Sequence, residues 1–246
     1  MSAHFNTTRW SLLLKVKSKN HQEAEVALET LCQSYWQPLY SWLRRSGNSP
    51  SEAEDLTQGF FAHAIRTNLF HKAESSKGKL RTFLLTCLKH YLADQHDKNS
   101  AAKRANRKNE VSLDFVDSEI GEMALERDLR SRDATPSEIY EYRWARTLLR
   151  ISLARLEEEH IRKGKEELCR VLTPLLTELD PGNSYAETAT ALKSNEGAVR
   201  IAFHRFKKRF QEIVREEVAK TLLPGETVHD EMLELAEILS RAVEEP

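Results

Sequence analysis

The sequence predicts an all-α protein: two small helical domains joined by a long linker, with an amphipathic helix closing the chain. Three observations carry this. Glycine (8) and proline (7) are scarce among the 246 residues, about half the roughly 12% combined share of an average chain, which argues against a turn-rich sandwich or barrel. Apolar residues recur at three- and four-residue intervals over most of the chain, the spacing of one helix face. That periodicity fades over 99–136, which ends at Ala134-Thr135-Pro136, and then resumes. The expected divisions are 1–98, a linker over 99–136, 137–223, and an extension over 224–246.

The elements follow in order. Residues 24–44 place Leu28, Leu31, Cys32, Tyr35, Leu39 and Leu43 on one stripe, and Pro38 inside it should kink or divide the helix. After a turn at Gly47–Pro50, Ser51 with Glu54 three residues on has the form of a capping box. The helix it opens runs to about Arg66, with Ala53, Leu56, Phe60 and Ala64 on one side. Residues 71–79 read as a polar loop, and Leu80–Gln95 as a helix with Leu80, Phe83, Leu84, Cys87, Leu88, Tyr91 and Leu92 apolar. Beyond the linker, helices are expected over about 137–161 and 165–178, stopping before Asp180-Pro181-Gly182. Tyr185–Leu192, a turn at Lys193-Ser194-Asn195 and a helix from Glu196 to about Lys220 come next. A last helix carries Val228, Met232, Leu235, Leu239 and Ala242 on one face.

Composition narrows the function. No run approaches the roughly 18 apolar residues of a membrane span, and Met1–Trp10 lacks a signal-peptide core, so a soluble, cytoplasmic protein with no membrane partner is expected. Cys32, Cys87 and Cys169 are unclustered, which argues for inert thiols rather than a disulfide framework. The nine histidines form no metal motif, and no G-x-S-x-G, GxGxxG or P-loop occurs. The expectation is a protein that is not an enzyme and uses no cofactor and no metal.

The net charge of −1 hides strong segregation. Lys98–Asn109 holds five bases and no acid, and Val111–Arg132 six acids against three bases. Lys193–Arg215 has seven bases and two acids, and Glu216–Pro246 nine acids against two bases. Two basic patches therefore alternate with two acidic ones.

Three stretches carry candidate binding chemistry. Residues 184–210 (SYAETATALKSNEGAVRIAFHRFKKRF) have the pattern of a helix-turn-helix. Asn195 can cap its second helix, Val199, Phe203, Phe206 and Phe210 form an apolar back, and Gly197, Arg200, Ile201, His204, Arg205 and Lys208 face the other way. Such a helix can lie in the major groove, although a solvated face on a helical hairpin has the same pattern. In EAEDLTQGFF, Asp55, Gln58 and Phe61 share a side away from the core stripe, an aromatic beside an acid and an amide that suits a protein-binding patch as well as plain packing. Over 80–98, Arg81, Lys89, His90 and His96 interleave cations with rings, a composition that holds phosphates and stacks bases, while Tyr91 fits the core stripe.

DLTQGFF at 55–61, LRTFLLTCLKHYLADQ at 80–95 and the stretch 184–210 resemble, in this order, bacterial sigma factors, and most of all the extracytoplasmic-function group, which keeps sigma regions 2 and 4. The resemblance covers about 24–98 and 137–218 and implies a region 2-like bundle and a region 4-like helix-turn-helix domain. It implies a protein that binds core RNA polymerase, directs it to promoter DNA and helps open the promoter, with an anti-sigma protein or other regulator as a further partner. Asp55, Leu56, Gln58 and Phe61 match the D-L-x-Q-x-x-F helix that docks on polymerase, and Gly59 stands where that family usually has an acid. Arg81, Phe83 and Leu84 match the F-R-x-W-L segment, with Leu80 and Phe83 replacing phenylalanine and tryptophan. His90 takes the place of a common asparagine facing the minus-ten element, Asp94 matches an acid or amide one turn later, and Arg81 and Lys89 complete that set. The loop at 71–79 would hold a flipped base. Asn195, Glu196, Gly197, Arg200, His204 and Arg205, joined by Lys208, match the segment for the minus-thirty-five element.

Promoter opening by such a protein draws on binding alone, because an extruded base gains stacking and hydrogen bonds that offset its unstacking. The acidic stretch with Asp114, Asp117, Glu119 and Glu122 has the charge to thread a basic channel of the polymerase as an RNA mimic. Two other classes stay open on the residues alone: a helix-turn-helix regulator that is no polymerase subunit, and a helical adaptor that touches no DNA. The extension over 224–246 either caps the helix-turn-helix domain, covers its DNA face, or docks a regulator, with packing inside the molecule favoured.

Overall fold

A computed structural model of the chain describes residues 13, 15–18, 20–73, 78–102, 134–176, 182–222 and 225–241. Among them are eight α-helices, two short 3-10 turns and no strand. The helices are α1 (His21–Arg45), α2 (Pro50–Arg66), α3 (Leu80–Ala102), α4 (Pro136–Arg162), α5 (Glu166–Leu172), α6 (Gly182–Ala191), α7 (Glu196–Ala219) and α8 (Val228–Arg241). They form two compact units, one made of Met1–Thr147 with Ala219–Pro246 and the other of Leu148–Val218.

In the first unit, α1 buries Leu31, Cys32, Tyr35, Leu39 and Leu43 of the expected stripe; Ala27 is buried beside them, and Leu28 is half-buried. Glu23 in its first turn and Arg44 and Arg45 in its last suit the helix dipole. Pro38 is buried within α1 and does not divide it. The start of α2 differs from the expected one. Ser49, not Ser51, is the N-cap: its side chain accepts from the Glu52 backbone N–H, and Glu52 accepts from the Ser49 N–H at 2.9 Å. Two Ser-x-x-Glu registers lie two residues apart here, and Pro50 decides between them, since a proline at the first helical position gives up an N–H that would have no partner there anyway. The same hydrogen bonds from Ser49 hold the Glu52 carboxyl below its ordinary value.

Helix α2 ends at Arg66 with Thr67 as its C-cap. Asn68 then adopts a left-handed backbone (φ 51°), and Leu69–Lys72 form a 3-10 turn that overlaps the start of the stretch expected as loop. Helix α3 packs Leu80, Leu84, Leu88 and Tyr91 inward and runs four residues past the expected start of the linker. Most of that linker, including Asp114, Asp117, Glu119 and Glu122, lies outside the described residues, as do residues 74–77 of the loop. The first half of α4 belongs to this unit, where Ile139, Tyr140 and Trp144 are buried. So does α8, which buries Leu235 and Ile238. Of the readings open for the C-terminal extension, packing inside the molecule is the one its helix follows. That helix joins the first unit because its acids meet cations at the start of α3.

The second unit is built around Leu156, Cys169, Leu172, Leu175, Ala189, Val199, Phe203, Phe206 and Ile213. The helix expected over 165–178 stops at Leu172 and continues as a 3-10 turn at Pro174–Leu176, because proline cannot donate to the helical ladder. His160 packs edge-on against Phe206, with ring centroids 5.2 Å apart.

Candidate nucleic-acid interface

The Asp-Leu-x-Gln-x-x-Phe stretch lies in mid-α2. Asp55 is exposed, and Leu56 and Gln58 are half-buried. Phe61 corrects the reading of an exposed aromatic: its exposure is 0%, and its ring stacks on Trp36 of α1 at 5.9 Å with an interplanar angle of 10°. Phe60 is equally buried, so the two consecutive phenylalanines fill space on both flanks of the helix. Gly59 allows a close approach. A Cβ there would lie 2.5 Å from the Tyr91 hydroxyl oxygen of α3, so the glycine makes room for the tyrosine. Burial raises the Tyr91 hydroxyl pKa, although a hydrogen bond with Gln95 and the charge of Arg66 pull the other way.

On α3, Lys89, His90 and Asp94 are exposed, and Lys89 Nζ lies 5.7 Å from the centre of the Trp42 ring. Arg81 behaves differently. It is 4% exposed, where a solvated cation was one of the two expected readings. Its Nη1 donates to Glu231 Oε1 and its Nη2 to Glu234 Oε1, both at 2.5 Å, and its guanidinium lies 4.1 Å from the centre of the Trp144 ring. Its backbone carbonyl accepts from Tyr140 Oη at 2.8 Å. Lys79 Nζ donates to Glu231 Oε2 at 2.6 Å and also to Glu234, with Glu226 at 3.9 Å. Burial would lower the Arg81 and Lys79 pKa values, but Glu231 and Glu234 outweigh it and keep both cations charged. Burial would likewise raise the Glu234 carboxyl, and Lys79 and Arg81 instead hold it below its ordinary value.

In the second unit, Asn195 caps α7 as expected, its Oδ1 accepting from the Ala198 N–H at 2.9 Å. Lys193 supports the tight turn with a left-handed backbone (φ 49°). Val199, Phe203 and Phe206 are buried, and Phe210 packs against them. The opposite face, with Asn195, Glu196, Gly197, Arg200, His204, Arg205 and Lys208, is exposed. Ile201 stands among these at 57% exposure. The Arg200 guanidinium sits 4.9 Å from the centre of the Tyr185 ring and 3.8 Å from Glu196. One turn beyond Arg205 the surface changes character: Arg209 pairs with Glu159 at 2.7 Å and with Glu212 and Glu216 at 3.2 Å. This exposed basic face thus lies ahead of Arg209 on α7.

Residues 31–102 match the family model of sigma-70 region 2. That span takes in α1 from Leu31, all of α2 and all of α3. The chain thus carries a stretch similar to region 2 of the sigma-70 superfamily. No curated protein and no solved structure matches it. Within that stretch lie Asp55, Leu56, Gln58, Phe61, Arg81, Lys89, His90 and Asp94, on two helices of the same unit. The residues of α7 fall outside the matched span. The sequence reading missed Trp36, which covers Phe61, and Trp144, Glu231 and Glu234, which enclose Arg81. The spacing of Glu231 and Glu234, three residues apart and so on one helix face, was available as a signal. Nothing local pointed to partners 150 and 153 positions away.

Proposed function

We propose that this chain is a member of the sigma-70 superfamily, a sigma factor of the extracytoplasmic-function type, which binds core RNA polymerase, directs it to promoters and helps open them without chemistry of its own. The observation that carries this reading is the sigma-70 region 2 match over α1, α2 and α3. In this reading Asp55, Leu56 and Gln58 meet the polymerase, and Phe61 sets the position of their helix. Lys89, His90 and Asp94 face the minus-ten element, with Arg81 at the head of the same helix. Asn195, Glu196, Gly197, Arg200, His204, Arg205 and Lys208 face the minus-thirty-five element, supported by the exposure of that side of α7 and its N-terminal cap.

The test is reconstitution. Purified chain is mixed with core polymerase, the complex is isolated by gel filtration, and transcripts are mapped on a library of promoter sequences. Co-elution, and start sites that appear only when the chain is present, are the expected result. A chain that stays apart from the polymerase at low ionic strength overturns it. Asp55→Ala with Gln58→Ala should weaken co-elution without unfolding the protein.

A further inference from the structure

The start of α3 presents a problem of economy. Two cations and two carboxylates meet where Arg81 and Glu231 are 4% and 3% exposed. A buried ion pair adds little stability compared with well-packed apolar residues of the same volume, because desolvation consumes most of the attraction. Leucines would hold α8 in place at least as well. What leucines cannot do is exchange. The guanidinium fork that takes one oxygen from each of two carboxylates matches the oxygens of a phosphodiester equally well, and Lys79 beside it supplies a second positive charge. The two carboxylates come from successive turns of a helix in a segment with nine acids and two bases, a local surrogate for a strand of phosphates.

We infer that α8 is an autoinhibitory latch: Glu231 and Glu234 occupy Lys79 and Arg81 in place of DNA backbone phosphates, and promoter DNA displaces them when region 2 engages it. This rests on the proposed function for the identity of the ligand. Its physical content, an anion site at the head of α3 masked by the protein's own helix, is tested separately. Glu234 is the part of the latch open to attack, since its side chain is 40% exposed while that of Glu231 is 3% exposed. An incoming phosphate can take the outer carboxylate's place first.

The experiment measures affinity of the full chain for a labelled random-sequence DNA duplex over a range of salt. Glu234→Gln should bind severalfold tighter than wild type, and its plot of log affinity against log salt should steepen by about one to two units as Lys79 and Arg81 become available to phosphates. Glu237→Gln is the control: it makes the same charge change on the same helix, but that carboxylate pairs with Arg241. An unchanged affinity for Glu234→Gln, or an equal gain for Glu237→Gln, overturns the latch. Should Glu234→Gln fail to fold, hydrogen exchange of the wild-type chain decides. Amides of 231–241 should exchange faster when the duplex is bound, and equal or slower exchange refutes displacement. Association with polymerase is scored on wild type alone, so failure of the proposed function and failure of the latch are read from different measurements.

Discussion

At the head of α3, in the first unit, Arg81 and Lys79 are drawn inward onto acids supplied by a helix far along the chain. On α7, in the second unit, Arg200, Arg205 and Lys208 look outward from an apolar back that is complete without them. Both helices have a composition suited to nucleic acid. The difference teaches that a motif fixes where a cation sits along a helix, while its availability depends on what else the fold brings to that place. A cation on a helix whose other faces are already satisfied stays outside. One at the first turn of a helix, beside a buried tryptophan, becomes part of the interior.

This contrast can be broken most strongly at Arg81. Arg81→Ala leaves the Glu231 carboxylate buried with part of its neutralisation gone, and should cost about 3–5 kcal/mol in a denaturant titration. Arg205→Ala with Lys208→Ala should instead leave the unfolding midpoint where it is and reduce the salt dependence of DNA binding by about one unit per residue. Equal stability losses at the two places would erase the distinction.

Phe61 sharpens the comparison inside the polymerase-facing stretch. Phe61→Ala removes a ring stacked on Trp36 and should destabilise by about 3–5 kcal/mol, whereas Asp55→Ala, on the exposed side, should stay within about 0.5 kcal/mol. Loss of polymerase association in Phe61→Ala at full stability would mean that the ring touches the partner itself. Gly59→Ala is a smaller case. The new methyl overlaps the Tyr91 hydroxyl at 2.5 Å, for a cost of about 1–3 kcal/mol by thermal unfolding. Tyr91→Phe in the same chain should recover most of that cost, since the next ring atom is 3.6 Å away.

The smallest effect is acid sensitivity at α8. Lys79 and Arg81 hold the Glu234 carboxyl below its ordinary value of 4.5. Its contribution to stability is therefore fully present above that value and is lost as pH falls through the depressed folded one. Urea midpoints measured from pH 7 downward should decline in that acid range, and Glu234→Gln should flatten part of the decline. No comparable change is expected between pH 6 and 8 from this group.

Much of this was legible in the sequence, and what was not has a common cause. Leu31, Leu39 and Leu43 on α1, and Val199, Phe203 and Phe206 on α7, announce their faces by spacing alone, because a helix repeats within each element. Asn195 was readable as a cap for the same reason: the N–H it serves is three residues away. The misplaced cap of α2 is a local ambiguity, two overlapping registers separated by the chemistry of one proline. Phe61 and Arg81 are different. Their surroundings are set by Trp36, Trp144, Glu231 and Glu234 on other helices, and helical periodicity carries no information about which helix lies across the way. Glu231 and Glu234, which decide the character of the Arg81 site, lie 150 and 153 positions from it in the chain.

Gly59 and Tyr91 also constrain how the protein can change over generations. A side chain at 59 arriving first meets an occupied position and lowers stability, whereas loss of the tyrosine hydroxyl arriving first clears the ground for it. An evolutionary walk that introduces a larger residue at position 59 thus has a preferred order, through position 91 first, and the two sites should drift as a linked pair.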